Sequence, residues 1–258
     1  MRHLKIIVSI TLILIYGCGQ DDPVSPGDNG YEMGTVTDID DNVYETVKIG
    51  EQWWMAENLR VTRYRNGDEM FTGIRDSIWQ IAISGIYAVY QHTDVDNIES
   101  AEEMLETYGA LYNWYAVADE RGLCPEGWRV PDDGEWKELE MYLGVSQQAV
   151  EKTGWRENDE GGKLKSTRTA PLHHPKWNNP NLGATNETGW SGLPGGFRDY
   201  SGEYNYIGSF GRWWTSSEHT PDGNYALFRS LGHNYSGISR FVVLKQHGFS
   251  VRCLKEGE

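Results

Sequence analysis

Three cysteines, at positions 18, 124 and 253, are the residues of this 258-residue chain best suited to chemistry. Cys18 closes an N-terminal run: Met1-Arg2-His3-Leu4-Lys5, eleven mostly apolar residues from Ile6 to Tyr16, then Gly17. A basic start, a short apolar stretch and a small residue ahead of the cut form a secretory leader. Eleven helical residues reach about 16 Å, short of a hydrocarbon core of about 30 Å, so the run is not itself a membrane span. Cys18 directly follows the expected cleavage site; a plain leader with an incidental cysteine is one reading of it. In an oxidising envelope the remaining thiols pair. A Cys124–Cys253 bridge would close a loop of roughly 130 residues, worth about 4–5 kcal/mol by chain entropy. Two buried free thiols are the alternative. A catalytic thiol has less support, since neither cysteine sits in a CxxC or beside a histidine.

Other candidates carry less. His173-His174 are neighbours, and neighbouring side chains diverge on extended backbone, so they make a poor metal pair. Asp38, Asp40 and Asn42 imitate the start of a calcium loop, but Val43 stands where that loop needs glycine and Ile49 where it needs a bidentate glutamate, so the segment reads as a turn. Trp177-Asn178-Asn179 and the doublets Trp53-Trp54 and Trp213-Trp214 are candidate ligand contacts. In each doublet consecutive strand residues point to opposite faces, so one ring enters the core while the other is covered by a loop or left as a platform for sugar stacking. Paired carboxylates for glycoside hydrolysis are not identifiable from sequence spacing.

The elements that would hold these residues are mostly short. A formal charge of −15 argues against nucleic acid and anionic lipid surfaces as electrostatic partners. Thirty glycines predict many turns, and eleven Trp with fifteen Tyr against six Phe suit both a core and a wet binding face. Residues 18–30 are polar and read as a flexible tether; residues 31–258 form the folded unit. Strands are expected at 34–37 and 43–49 as a hairpin, at 52–56, 85–90, 212–216, 225–231, 239–244 and 248–254. Helices are expected at 101–107, 111–121, 147–152 and over 132–144, where Asp132, Glu135 and Gly144 supply start and stop. Residues 155–210 lack periodicity, and their aromatics predict an ordered functional loop.

Several segments carry a family resemblance: Gly34–Tyr44, Trp54-Met-Ala-Glu-Asn-Leu59, Tyr108–Trp114, Cys124-Pro-Glu-Gly-Trp-Arg-Val-Pro131, Gly192–Arg198, Trp214-Thr-Ser-Ser-Glu218 and Gly248-Phe-Ser-Val-Arg-Cys253. In this order, from about residue 34 to 255, they resemble the Fibrobacter succinogenes major paralogous domain of secreted bacterial proteins and lipoproteins. Ile15-Tyr16-Gly17-Cys18 likewise resembles a bacterial lipobox, and Asp21-Asp22 resemble signals that send some lipoproteins to the cell surface. The resemblance implies an α+β, C-type-lectin-like fold, with small twisted antiparallel sheets, two to four helices, long ordered loops and chain ends that meet. The family's paired cysteines fall on Cys124 and Cys253. The fold is shared with formylglycine-generating enzymes, whose chemistry needs cysteines that a structural bridge would consume. Trp177-Asn178-Asn179 is similar to the Trp-Asn-Asp of calcium-dependent lectins but lacks the last carboxylate.

The resulting expectation is an exported outer-membrane lipoprotein, held to the membrane through lipid on Cys18. Its lectin-like domain would bind an extracellular glycan or protein without catalysis, cofactor or metal. A polysaccharide hydrolase, a formylglycine-type oxidase and a structural subunit of a surface assembly are the alternatives.

Overall fold

The computed structural model describes residues 30–156, 158–169, 172–219 and 223–257. The expected leader, Cys18 and the expected tether as far as Asn29 lie outside the described residues. The strands of the two larger sheets are β1 (Met33–Thr37), β2 (Val43–Ile49), β3 (Gln52–Met55), β4 (Trp128–Arg129), β5 (Gly154–Trp155), β6 (Phe210–His219), β7 (Tyr225–Gly232), β8 (Ser239–Leu244) and β9 (Leu254–Lys255). One sheet runs in the order β1-β2-β3-β9-β4, the other β6-β7-β8-β5, and neighbouring strands are antiparallel throughout. Two-residue ladders join Tyr87–Ala88 to Leu111–Tyr112 and Phe197–Arg198 to Tyr204–Asn205. The result is a mixed helix-and-sheet fold of small antiparallel sheets.

Local chemistry explains the first hairpin. Asp38 accepts from the backbone N–H groups of Asp40 and Asn42 at 2.9 and 3.0 Å and from the Tyr44 hydroxyl at 2.6 Å. Its carboxylate therefore closes the β1–β2 turn. Helix α1 (Ala101–Tyr108) is capped by Ser100, which accepts from the Glu103 N–H at 3.1 Å. Helix α2 (Asp133–Leu143) begins in a capping box between Asp132 and Glu135 and ends at Gly144, φ +117°.

The described residues hold six α-helices and helical turns where two to four helices are expected, and three expected elements differ. The strand predicted over 85–90 is regular only at Tyr87–Ala88. The helix predicted over 111–121 is a strand at Leu111–Tyr112 followed by one helical turn, Trp114–Val117. Tyr112 exchanges backbone hydrogen bonds with Phe249 at 2.8 and 3.0 Å, and the Asn113 side chain accepts from the N–H of Ala116 and of Ile86. These long-range partners override local helix propensity. The strand predicted over 248–254 is regular only at Leu254–Lys255; before it, Gly248 and Phe249 form isolated bridges, each of two backbone hydrogen bonds, with Arg198 and Tyr112.

Four buried indoles connect the sheets. Trp54 on β3 meets Trp136 of α2 at 5.0 Å between centroids, Trp136 meets Trp190 at 5.7 Å, and Trp190 meets Trp213 on β6 at 4.9 Å. Trp214 points the other way, into a second cluster with Phe228 and Phe249. Both faces of β6 are thus covered, so the period-2 alternation that would expose one ring buries both. Lys165 is also internal: its ammonium donates to the carbonyls of Leu182, Gly232 and Tyr235 at 2.7, 3.1 and 2.8 Å, and burial lowers its pKa to about 8.

Cys124 and Cys253 form a disulfide with Cα atoms 5.9 Å apart. It pins the approach to β9 against the segment leading into β4 and α2.

His247 sets a pH response. Burial against Phe197 and Phe249 lowers its pKa to about 4, with Arg212 adding positive charge nearby. The native state then binds fewer protons than the unfolded chain between about pH 4 and 6.5, so stability rises with pH across that window. We expect the unfolding free energy to fall by up to about 3 kcal/mol on acidification from pH 6.5 to 4. Urea titrations of wild type and His247→Gln across that range check this; equal slopes for the two proteins would refute it.

Candidate functional site

An open cleft of about 630 Å³ lies where β3, α1 and the long loop after residue 164 converge. Its size suits a small ligand or the end of a larger one. Glu57, Asn58 and Arg60 come from the segment after β3; Glu106, Thr107 and Gly109 come from the end of α1. The long loop contributes Ser166, Thr167, Arg168, Asn186 and Ser191.

Asn58 is the keystone of the floor. Its Oδ1 accepts from Trp213 Nε1 at 2.9 Å and Arg252 Nε at 3.0 Å; its Nδ2 donates to the Tyr108 carbonyl at 2.8 Å and Ser250 Oγ at 3.3 Å. All four hydrogen-bonding valences of the amide are engaged. The helix end must approach this amide closely: a Cβ on Gly109, φ +77°, would lie 2.7 Å from Asn58 Cβ. Beneath, the Arg252 guanidinium stacks 3.8 Å over Trp190 and also donates to the carbonyls of Trp190 and Ser191. Burial lowers its pKa to about 9. Asn58→Ala is expected to cost about 3 kcal/mol, because Trp213 Nε1, Arg252 Nε and the Tyr108 carbonyl each lose a buried partner. Urea unfolding measures it, and a loss below about 1 kcal/mol would show that the floor does not depend on this amide.

The walls are polar and mixed in charge. Arg60 lies 3.6 Å from Glu57 Oε1 and 3.3 Å from Glu106 Oε2, and stacks 4.4 Å over Tyr44. Glu57 Oε2 also accepts from the Glu45 N–H at 2.7 Å. Arg168 donates to the carbonyls of Pro175 and His173. Ser166 is 6% exposed, and its hydroxyl has no hydrogen-bond partner although it lines the cleft. A buried hydroxyl left unpaired is costly, and this oxygen is itself closed off from solvent, so a ligand reaches it only if the wall shifts. Among the described residues no base is hydrogen-bonded to the Ser166 hydroxyl, the contact a serine nucleophile would need. The disulfide leaves neither Cys124 nor Cys253 as a thiol. Among the described residues no group of three His, Cys, Asp or Glu is placed to hold a metal.

The residues singled out from sequence lie elsewhere. Trp177, Trp213 and Trp214 are fully buried, so none offers a ring face to a ligand, and all three are corrected to core residues. Their indole N–H groups donate inward, to the Gly192 carbonyl, Asn58 and the Tyr112 carbonyl. Asn178 and Asn179 are exposed loop residues: Asn178 donates to Ser209 Oγ at 3.0 Å, and the Asn179 carbonyl contacts His233 Nδ1 at 2.9 Å. Sequence reasoning missed the cleft residues themselves. Two signals were present: Asn58 sits inside the quoted Trp54–Leu59 segment, and Ser166, Arg168, Asn186 and Ser191 lie in the loop marked as functional.

The model of the Fibrobacter succinogenes major domain matches residues 47–255. The chain belongs to this family. The family-like segments meet in space: Trp54–Leu59, Tyr108–Trp114 and Gly248–Cys253 supply Asn58, Tyr108, Ser250 and Arg252, which bond one another under the cleft. Neither a curated protein nor a solved structure matches the chain. No helix among the described residues is long and apolar enough to cross a membrane.

Proposed function

We propose that this protein is a lipid-anchored component of the cell envelope whose C-type-lectin-like domain binds an extracellular glycan, without catalysis, in the cleft around Ser166. The observation that carries the reading is an open cleft walled by donors and acceptors side by side, with the unpartnered Ser166 hydroxyl closed off just behind the wall. Sugar hydroxyls donate and accept at once, which suits a surface holding Arg60, Thr107 and Arg168 beside Glu57 and Glu106. The lectin-like assignment is supported by small antiparallel sheets, a long ordered loop and terminal strands that share a sheet. Anchoring is supported by the leader and Cys18, and acylation of an exported chain would place the domain in the outer membrane by a tether of residues 18–30.

Immobilised neutral glycans should retain the wild-type domain. Ser166→Ala and Arg168→Ala should weaken retention at least tenfold, with thermal stability of Ser166→Ala kept or raised because an unpaired buried hydroxyl, and no existing hydrogen bond, is removed. Absence of retention on any glycan at millimolar concentration would overturn the reading. Labelled palmitate should enter the exported wild-type chain but not Cys18→Ser.

A surface-assembly role draws on a different observation. Phe71, Ile78, Ile81 and Ile83 are 51–79% exposed around the helical turn Asp76–Trp79. Exposed apolar patches mark association surfaces. Concentration-dependent sedimentation abolished by Ile81→Asp would favour it.

A further inference from the structure

A recess of about 440 Å³ lies where the helical turn Asp76–Trp79, the start of α1 and the two short ladders at Tyr87–Ala88 and at Phe197–Arg198 with Tyr204–Asn205 converge. It shares no residue with the cleft lining, and its size is that of a small-ligand site. One cation lines it. Arg198 is 4% exposed, and its guanidinium lies 4.2 Å over the Trp79 ring and 5.1 Å over that of Tyr204. Its Nε donates to the Gly202 carbonyl at 2.8 Å; its Nη2 donates to the Ile74 carbonyl at 3.3 Å and to Asp76 Oδ1 at 2.6 Å. Among the described residues nothing accepts from Nη1, and that nitrogen is not closed off from solvent.

Asp76 completes the pair and also lines the recess. Its side chain is 59% exposed, and among the described residues its second carboxylate oxygen takes no hydrogen bond. A buried arginine thus keeps one donor open and its carboxylate partner one acceptor. Each is a single atom away from the ion pair that fixes both in place. The pair is formally neutral: an anionic ligand would meet the carboxylate beside its donor, and a cationic one the guanidinium beside its acceptor. Gln91 adds an exposed amide to the lining, while Tyr87 and Tyr204 supply half-buried aromatic walls.

We infer that this recess is a separate saccharide site that holds one uncharged hexose unit, with one ring hydroxyl accepting from Arg198 Nη1 and its neighbour donating to Asp76. A hydroxyl both donates and accepts, so two adjacent ones match an open donor beside an open acceptor. Hydrogen bonds to ionised partners are also the stronger kind. The C–H surface of the sugar ring meets the walls of Tyr87 and Tyr204. A ringless polyol carries the hydroxyls but lacks that apolar surface. The ligand class follows from the groups of the recess itself and does not depend on what the cleft binds.

Titrations of the full chain followed by saturation-transfer NMR test the site, in the Ser166→Ala background so that the cleft contributes little. The probes are the methyl glycosides of glucose, galactose and mannose, with glucuronic acid, glucosamine and glycerol as comparisons. At least one methyl glycoside should bind tenfold or more tighter than all three comparisons. Adding Asp76→Asn, which turns the open acceptor into a donor, should weaken that binding at least tenfold. Ala101→Glu should do the same by setting a carboxylate in the recess beside Arg198. Ala101 is exposed at the first position of α1, where an acidic residue suits the helix, so this variant keeps the fold. Should Asp76→Asn fail to melt cooperatively, Ala101→Glu decides alone. The inference is overturned if no methyl glycoside binds at millimolar concentration, if a charged sugar or glycerol binds as well, or if a folded variant keeps the affinity within tenfold. Glycans retained by wild type and lost in Ser166→Ala alone belong to the cleft, so either reading can fail without the other.

Discussion

Glu140→Gln is expected to destabilise the protein by about 3–5 kcal/mol, the typical result of removing one partner from a buried ionic network. Glu140 and Arg229 are both fully buried. The Glu140 carboxylate accepts from Arg229 Nε and from Arg156, whose Nη2 lies 3.0 Å away. Arg229 extends the network to Asp133 at 2.9 Å, and Asp133 accepts from Arg240 at 2.8 and 2.7 Å. Two guanidiniums from different elements therefore share one carboxylate on α2. Glutamine preserves the shape but removes the charge that offsets two desolvated cations, and its amide nitrogen would face donors. The melting temperature should fall on the order of 10 °C for a chain of this size. Burial acting alone would raise the Asp133 pKa, but Arg240 and Arg229 hold it well below the usual carboxylate range. Its contribution to stability is consequently full above about pH 4 and lost as the pH falls further. A Glu140→Gln variant within 1 kcal/mol of wild type would show that these cations are compensated in another way.

Removing the disulfide should have an effect of similar size by a different route. The bridge spans 129 residues of sequence. Releasing it returns loop entropy to the unfolded chain, about 4–5 kcal/mol at 25 °C. The native side loses as well, since Cys253 precedes β9, which is held by pairing to Trp54, Arg129 and Trp128. A Cys124→Ala/Cys253→Ala chain should unfold at lower urea with an increased or equal dependence on denaturant, and reductant should shift wild type toward it. Coincident unfolding curves for the two chains would refute the entropic account.

Local signals were easily legible. The Asp-rich turn gave the first hairpin, and Asp132, Glu135 and Gly144 gave both ends of α2, because caps and turns are settled by residues a few positions apart. The pairing of the two late cysteines followed from their number and from the family resemblance. The failures share a cause. Leu111–Arg121 has helical composition, yet Tyr112 is captured by Phe249, a partner 137 positions away. Trp213 and Trp214 alternate as strand residues should, but nothing local reveals that both faces of β6 are covered. The cleft was hidden for the same reason: Asn58, Ser166 and Arg252 are far apart in sequence and become neighbours only through the tryptophan chain linking the sheets. A donor left unpaired among the described residues, such as the Ser166 hydroxyl, cannot be recognised until the other donors there have been accounted for.

The position of β9 has a consequence for biosynthesis. The strand furthest along the domain, β9, occupies the middle of its sheet, between β3 and β4. A ribosome-bound chain that stops short of residue 250 exposes two open β edges and an unmatched Cys124 thiol, however well the preceding segments have formed. Completion of the domain therefore waits until residues 250–255 have emerged. A prematurely terminated product carries, in that empty slot, a feature by which proteases and chaperones can tell it from the finished chain.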